Sequence, residues 1–228
     1  MESGFFNASH TAGSTFEDQC GNIMTGMRKL KYIGKRALFR LSPALAERCG
    51  GDFRLEAPNR VFLEQHIFGY LNRLAAGGQA PQELLFLGLD KHNWHYPRLL
   101  RANFHSLDIL PRSAVYGRPG RHWIGDALQM AAHYGADAFD VVIANGVLGS
   151  GIDGQDGLRG LLAQCRVVLK PGGVLVLGYN DLPERTPFPV VVDGGFEEFV
   201  PDIEGVIASR HMVDDPFRHV YCFCRKAG

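Results

Sequence analysis

The sequence has no excess of either charge and no apolar run long enough to cross a bilayer. Its 228 residues include 24 Lys and Arg and 24 Asp and Glu. A balanced chain lacks the overall attraction that drives non-specific binding to nucleic acids and anionic membranes. Residues 1–16 also lack the basic and apolar regions of a secretory signal. We therefore expect a soluble, cytoplasmic protein without stable membrane insertion and without a nucleic-acid partner.

Cysteine is scarce and has no spacing typical of a disulfide framework. The five cysteines stand at positions 20, 49, 165, 222 and 224, in a chain long enough to bury a core without disulfides. Cys222 and Cys224 alternate within HVYCFCRK, which predicts a strand with both thiols on one buried face. His92 and His95 alone make a weak zinc signal, so we predict no metal.

Three regions follow one another along the chain. Residues 1–20 are rich in small polar residues and are predicted to be disordered. Residues 21–80 are predicted to form a helical cap, with amphipathic helices over 28–41 and 59–76. The first of these helices has six basic residues and no acid. An ordinary surface helix is favoured there over a membrane-binding or anion-binding one.

Residues 81–228 alternate short apolar runs with helical stretches. We predict strands at 83–88, 104–109, 121–126, 139–144, 172–178, 204–211 and 218–226. The predicted crossover segments lie at 96–103, 112–117, 127–135 and 156–170. This alternation indicates an α/β fold with a Rossmann-like, doubly wound, mostly parallel sheet. The last two strands have no clear helix between them, which favours an antiparallel arrangement at the sheet edge.

Polar or glycine residues stand where four consecutive predicted strands end: Gly88, Asp108, Asp126 and Asn145. The carboxyl ends of parallel strands meet at one edge, where open α/β sheets bind their ligands. Asp108 lies about 20 residues beyond Gly88, the separation at which an acid ending the second strand accepts hydrogen bonds from a ribose. Asp126 stands where an adenine edge would lie. The sequence thus predicts an adenosine site at this edge.

The segment from FDVVIANGVL to KPGGVLVLG, residues 139–178, resembles the class I S-adenosylmethionine-dependent methyltransferases. The likeness covers residues 83–226 and implies a seven-stranded Rossmann-like sheet with S-adenosyl-L-methionine as cofactor. It also implies the cofactor-binding residues. These are Asp108 and Ile109 at the ribose, Asp126 and Ala127 at the adenine, and Gly88, Asn145 and Gly146 towards the methionine. Asn145 in ANGV is also a favoured turn residue, and the two roles are compatible.

The first turn, LLFLGLDKHNWHY, departs from the family pattern of an acid followed by Gly-x-Gly-x-Gly. Phe86 replaces the acid, and Asp90 and His92 replace the later glycines. We predict a turn rebuilt as a longer loop, with Pro97 at the start of the next helix and Asp90 facing the cofactor ammonium. The alternative is a methyltransferase-like binding or scaffold protein that has lost its cofactor.

His92 and His95 are the predicted general bases, because histidine titrates nearest neutral pH. Either one alone is as well explained by filling the space that glycines leave. The segment YNDLPERTPFP after the fifth strand places Tyr179 as a catalytic candidate. Asn180 and Asp181, with Tyr96, are candidates for substrate binding. The alternative for this segment is an ordered proline-rich loop.

The resemblance favours methyl transfer to an oxygen, nitrogen or sulfur of a small metabolite. Nucleic-acid methyltransferases of this fold often follow the fourth strand with Asn-Pro-Pro-Tyr, whereas this chain has Asn-Gly-Val-Leu. A bound cofactor used for other chemistry is a third alternative. The sequence carries no signal of the oligomeric state.

Overall fold

The computed structural model describes residues 33–78 and 80–228, and the chain divides into two compact units after Gly51. In the first unit, residues 33–41 form helix α1 and Pro43–Arg48 form α2. The Ser42 side chain caps α2 by accepting the backbone N–H of Leu45. The region predicted to be disordered, 1–20, and the first part of the predicted cap, 21–32, lie outside the described residues.

The second unit opens with the helix predicted over 59–76. It comprises α3 (Pro58–Phe62), a π-helical turn (Leu63–Ile67) and α4 (Phe68–Ala76). Pro58 stands in the first turn, where a missing N–H has no cost. This helix lies in the same compact unit as the sheet.

The sheet confirms the predicted Rossmann-like fold and has eight strands, in the order β3-β2-β1-β4-β5-β8-β6, with β7 also paired to β8. Strands β1 to β5 are parallel, and β8 runs antiparallel to β5 and to both β6 and β7. The strands are β1 (Glu83–Leu87), β2 (Asn103–Asp108), β3 (His122–Ile124), β4 (Phe139–Asn145), β5 (Leu169–Asn180), β6 (Phe196–Glu198), β7 (Arg210–Met212) and β8 (His219–Lys226).

Each face of the sheet packs against its own helices, because side chains alternate along buried strands. One face meets α5 (Met130–Tyr134) and α6 (Gly154–Val168). The other meets the π turn and α4, where Ile67 and Phe68 pack on Phe86 and Ile143. Asn145, Gly178 and Tyr221 follow one another across β4, β5 and β8 and share this second face.

Three details differ from the sequence prediction. The segment 96–103 forms only a short 3₁₀ turn, Tyr96–Arg98, and 112–117 is also 3₁₀, within Pro111–Tyr116. The strand predicted over 204–211 begins at Arg210. Strand β6 was not predicted and raises the strand count from seven to eight. It has only three residues, too few for a periodic pattern to be recognised.

Cys222 and Cys224 are buried on one face of β8, as predicted. Within 33–78 and 80–228, no group of three or more His, Cys, Asp or Glu residues is arranged to hold a metal ion. None of the helices in these two ranges has the length and apolar character needed to cross a membrane.

Candidate active site

The four predicted strand-end residues lie side by side at the carboxyl edge of the sheet. The backbone N–H of Gly88, just after β1, donates to a carbonyl oxygen of β2 at 2.9 Å. The carbonyl oxygen of Asp108 accepts the N–H of Gly125 at 3.1 Å, and Asp126 follows directly. Asn145 ends β4, which pairs with β1. The strand order therefore sets Asp126, Asp108, Gly88 and Asn145 next to one another.

The turn after β1 depends on Gly88 and on Asn93, which the sequence reasoning missed. Gly88 has φ of +79°, a conformation that side chains rarely adopt. The buried side chain of Asn93 accepts the N–H of Asp90 at 2.6 Å and donates to the carbonyl oxygen of Gly88 at 3.2 Å. The Asn93 carboxamide thus holds this loop together. The methyltransferase family that the sequence resembles has further glycines at this point.

Asp90 and His92 fold into this loop. Oδ1 of Asp90 accepts the backbone N–H of His92 at 2.8 Å. Nδ1 of His92 lies 2.6 Å from the carbonyl oxygen of Phe53. A carbonyl oxygen can only accept, so Nδ1 carries the proton and donates it. In the neutral form of this ring, Nε2 therefore holds the lone pair that a general base needs.

His95 and Tyr96 lie in the interior beneath the loop. His95 is 3% exposed, and its Nε2–H donates to Oε1 of Glu64 at 3.1 Å. Burial lowers the pKa of His95, an effect that Glu64 opposes. Tyr96 is fully buried with its ring edge-on to Phe68 and Phe86, and burial raises its pKa to about 12. These are the contacts of core residues. They agree with the alternative interpretation of His95, in which it fills space that glycines leave.

The two strand-end carboxylates each hold their own turn with one oxygen. Oδ1 of Asp108 and Oδ1 of Asp126 accept the backbone N–H two residues further on, at 2.7 and 2.8 Å. Within the described residues Oδ2 of each has no hydrogen-bond partner. Ile109, beside Asp108, is 65% exposed, which leaves an apolar surface uncovered, and Ala127 is buried beside Asp126. A carboxylate oxygen next to an exposed apolar side chain matches the chemistry of an adenosine.

A second polar group spans the ends of β4, β5 and β8. Oδ1 of Asn145 lies 3.0 Å from Nε2 of His219, and Oδ1 of Asn180 lies 2.6 Å from Nδ1 of the same ring. Gly178 makes room for this group, since a Cβ there would stand 2.1 Å from Oδ1 of Asn145. Gly146, the next predicted residue, has φ of +73° and turns the chain away from β4.

His219 is neutral near pH 7. It is 2% exposed, and burial lowers its pKa to about 4. The negative charge of Asp215 opposes this shift but does not cancel it. A neutral imidazole donates from one nitrogen and accepts at the other. One of the two flanking carboxamides must therefore turn its NH₂ towards the ring, while the other accepts through its oxygen. The imidazole thus fixes the orientation of Asn145 and Asn180 at the candidate site.

Tyr179 and Asp181 do not join this group. Tyr179 packs on the opposite face of β5, with the core around α6. There it lines a cavity of about 550 Å³ with Glu198 and Arg210, and burial raises its pKa. Asp181 is exposed and pairs with Arg218 at 3.2 Å. The structure thus brings Asn180, but not Tyr179, to the face that carries Asn145.

The chain has the fold of class I methyltransferases. The N-methyltransferase NodS from Bradyrhizobium japonicum WM9, in complex with S-adenosyl-L-homocysteine, matches it with a TM-score of 0.52 and 16% identity over 78% of this chain and 95% of that one. The CurJ carbon methyltransferase matches with a TM-score of 0.50 and 17% identity, over 67% and 50% of the two chains. No protein-family model and no curated protein sequence matches. At these identities the likeness shows the fold alone.

Proposed function

We propose that the protein is an S-adenosyl-L-methionine-dependent methyltransferase that acts on an oxygen, nitrogen or sulfur of a small metabolite. The observation that carries this proposal is the row formed by Asp126, Asp108, Gly88 and Asn145 at the edge where folds of this type bind their ligands. The fold of NodS and CurJ supports it. The balanced charge of the chain supports a small acceptor over a nucleic acid.

The residues at this edge suit the cofactor. Asp108 has an oxygen for the ribose hydroxyls, and Ile109 offers apolar surface to the adenine. Asp126 has a second carboxylate oxygen for the adenine amino group, with Ala127 beside it. Around Gly88, a Cβ would make only ordinary contact, with a Val147 methyl carbon at 3.6 Å, so the turn leaves space for the methionine part.

When bound, the cofactor supplies an electrophilic methyl group on a sulfonium centre. The protein then needs chiefly to orient the acceptor and, where the acceptor carries a proton, to take it. Asn145, held by His219, is the orienting group at the end of β4. His92 is the better of the two predicted bases, because its Nε2 holds a lone pair whereas His95 is buried against Glu64.

Calorimetric titration with S-adenosyl-L-homocysteine tests this proposal. We expect the wild-type protein to bind, and Asp108→Asn to weaken binding by about tenfold or more, because a charged hydrogen bond to the ribose is lost. Asp137→Asn is the matched control. Asp137 is an exposed acid before β4, at the opposite edge, and its φ of +54° suits asparagine. A folded wild-type protein that binds no S-adenosyl-L-homocysteine would instead support the scaffold alternative.

A further inference from the structure

Arg60 is a half-buried cation near Tyr96 and His219 that has no acidic partner among the described residues. Among the residues that the structure describes, no carboxylate lies within ion-pair distance of its guanidinium group. Within residues 33–78 and 80–228 its side chain makes a single hydrogen bond, a long one of 3.5 Å from Nη1 to the hydroxyl of Tyr96. An arginine has five N–H donors in a planar fork, so most of these donors are left for another partner.

Two carboxylates lie nearby without pairing with Arg60, and Oδ2 of Asp215 is buried with no hydrogen-bond partner among the described residues. Glu64 accepts from His95, and Oδ1 of Asp215 accepts the backbone N–H of Phe217 and of His219. Tyr96 and His219, which lie near Arg60, are uncharged near pH 7. Burial raises the pKa of Tyr96 to about 12 and keeps His219 uncharged. A partly buried cation attracts an anion more strongly than an exposed one.

The backbone beside Arg60 lies over β8, although the Arg60 side chain also reaches Tyr96 below the loop after β1. Its neighbour Asn59 accepts the hydroxyl of Tyr221 through its backbone oxygen at 2.8 Å. Tyr221 is on β8, two strands beyond Asn145 on β4, which is about 10 Å at the usual strand spacing. The start of α3 thus covers the β5 and β8 part of the edge, next to Asn180 and the imidazole that holds it. The cofactor residues belong to β1 to β4.

We propose that Arg60 binds a carboxylate or phosphate group of the methyl acceptor, so that the acceptor is a small organic anion. The identification of the anion as the methyl acceptor rests on the proposed function. The anion site itself does not depend on the cofactor. Arginine recognises both groups through paired N–H donors. The anchored acceptor then lies on the second face of the sheet, where Asn145 and Asn180 flank His219.

Inorganic phosphate is the probe for this site. The protein saturated with S-adenosyl-L-homocysteine is titrated with phosphate in a calorimeter. We expect binding that Arg60→Gln weakens by about tenfold or more and that Arg60→Lys partly retains, because lysine keeps the charge but loses the planar fork. Arg101→Gln is the matched control and leaves phosphate affinity unchanged. Arg101 is exposed beside the amino end of β2, at the opposite edge.

Two results would overturn the anion site: wild-type protein that binds no phosphate, or Arg60→Gln that binds it as well as wild type. A second titration separates the acceptor from the cofactor's own carboxylate. If Arg60→Gln weakens S-adenosyl-L-homocysteine but not 5′-methylthioadenosine, which lacks the amino-acid part, Arg60 serves the cofactor and the acceptor assignment is wrong. If wild type binds no S-adenosyl-L-homocysteine, the proposed function fails. Phosphate binding by the free protein that requires Arg60 then still supports the anion site.

Discussion

Asn93 and His219 are single side chains that organise the candidate site, one at each end. Asn93 closes the loop after β1 through two hydrogen bonds to backbone atoms. Asparagine commonly does this in turns, so DKHN is a turn signal in the sequence. His219 begins a strand in the sequence and bonds to Asn145, 74 residues earlier. No local pattern reveals such a pair, because only the sheet topology brings the two residues together.

The neutrality of His219 leads to a prediction about stability and pH. Its pKa is about 4 in the folded protein and about 6.5 when unfolded, so the unfolded chain takes up a proton first. The contribution of His219 to the free energy of unfolding is complete above about pH 6.5. It falls as the pH drops towards 4, by about 3 kcal/mol in all. Urea unfolding between pH 7 and 4 measures it, and His219→Gln should flatten this part of the profile.

Two outcomes are informative for His219. In wild-type protein labelled with ¹⁵N-histidine, the His219 ring should show one protonated and one unprotonated nitrogen at pH 6. Two protonated nitrogens at that pH would contradict the assignment, and so would equal pH slopes for the wild type and His219→Gln. Asp215, Arg60 and Tyr221 also face this ring, and the substitution leaves all three in place.

At the scale of elements, periodicity predicted the positions of most strands and the helix over 58–76, because buried strands and amphipathic helices have distinct repeats. The crossover at 96–103 was less predictable. YPRLLRAN has helical propensity, but the loop before it is tied down by Asn93, and only the 3₁₀ turn Tyr96–Arg98 remains. The π-helical turn at Leu63–Ile67 likewise has no signature in sequence, since it adds one residue to a regular helical pattern.

Two glycine substitutions, one at the contact between β4 and β5 and one in α4, are expected to have opposite effects on stability. Gly178→Ala should destabilise the fold by roughly 1–3 kcal/mol, because its Cβ would stand 2.1 Å from Oδ1 of Asn145 and 3.0 Å from Nε2 of His219. Gly69→Ala, inside α4, should stabilise by roughly 0.5–1 kcal/mol, because its Cβ would meet nothing nearer than Nη1 of Arg73 at 4.0 Å.

Urea midpoints of both variants, with the wild type as reference, measure these effects. We expect the two changes in the free energy of unfolding to have opposite signs. A Gly178→Ala protein as stable as the wild type would show that Asn145 and His219 are not packed over this glycine. In that case the hydrogen-bonded group at the ends of β4, β5 and β8 would lose its structural basis.

At the scale of the whole molecule, the carboxyl edge of the sheet divides into two parts. The β3-β2-β1-β4 part carries the residues proposed for the cofactor, and the β5-β8 part lies beneath α3, which carries Arg60, the residue proposed to bind the acceptor. The residues proposed for the cofactor could be identified in the sequence, because each one stands at the end of an apolar run. The second part depends on Arg60 and His219, which come together only through the packing of α3 on the sheet.

Mapping the binding of S-adenosyl-L-homocysteine by backbone ¹H–¹⁵N chemical shifts tests the central claim most directly. We expect the largest changes in chemical shift at four neighbouring strand ends, at Gly88, Ile109, Ala127 and Asn145. We also expect little change around Tyr179 and Arg210, which line the cavity on the opposite face of the sheet. Changes centred on that cavity, with none at the four strand ends, would contradict the claim.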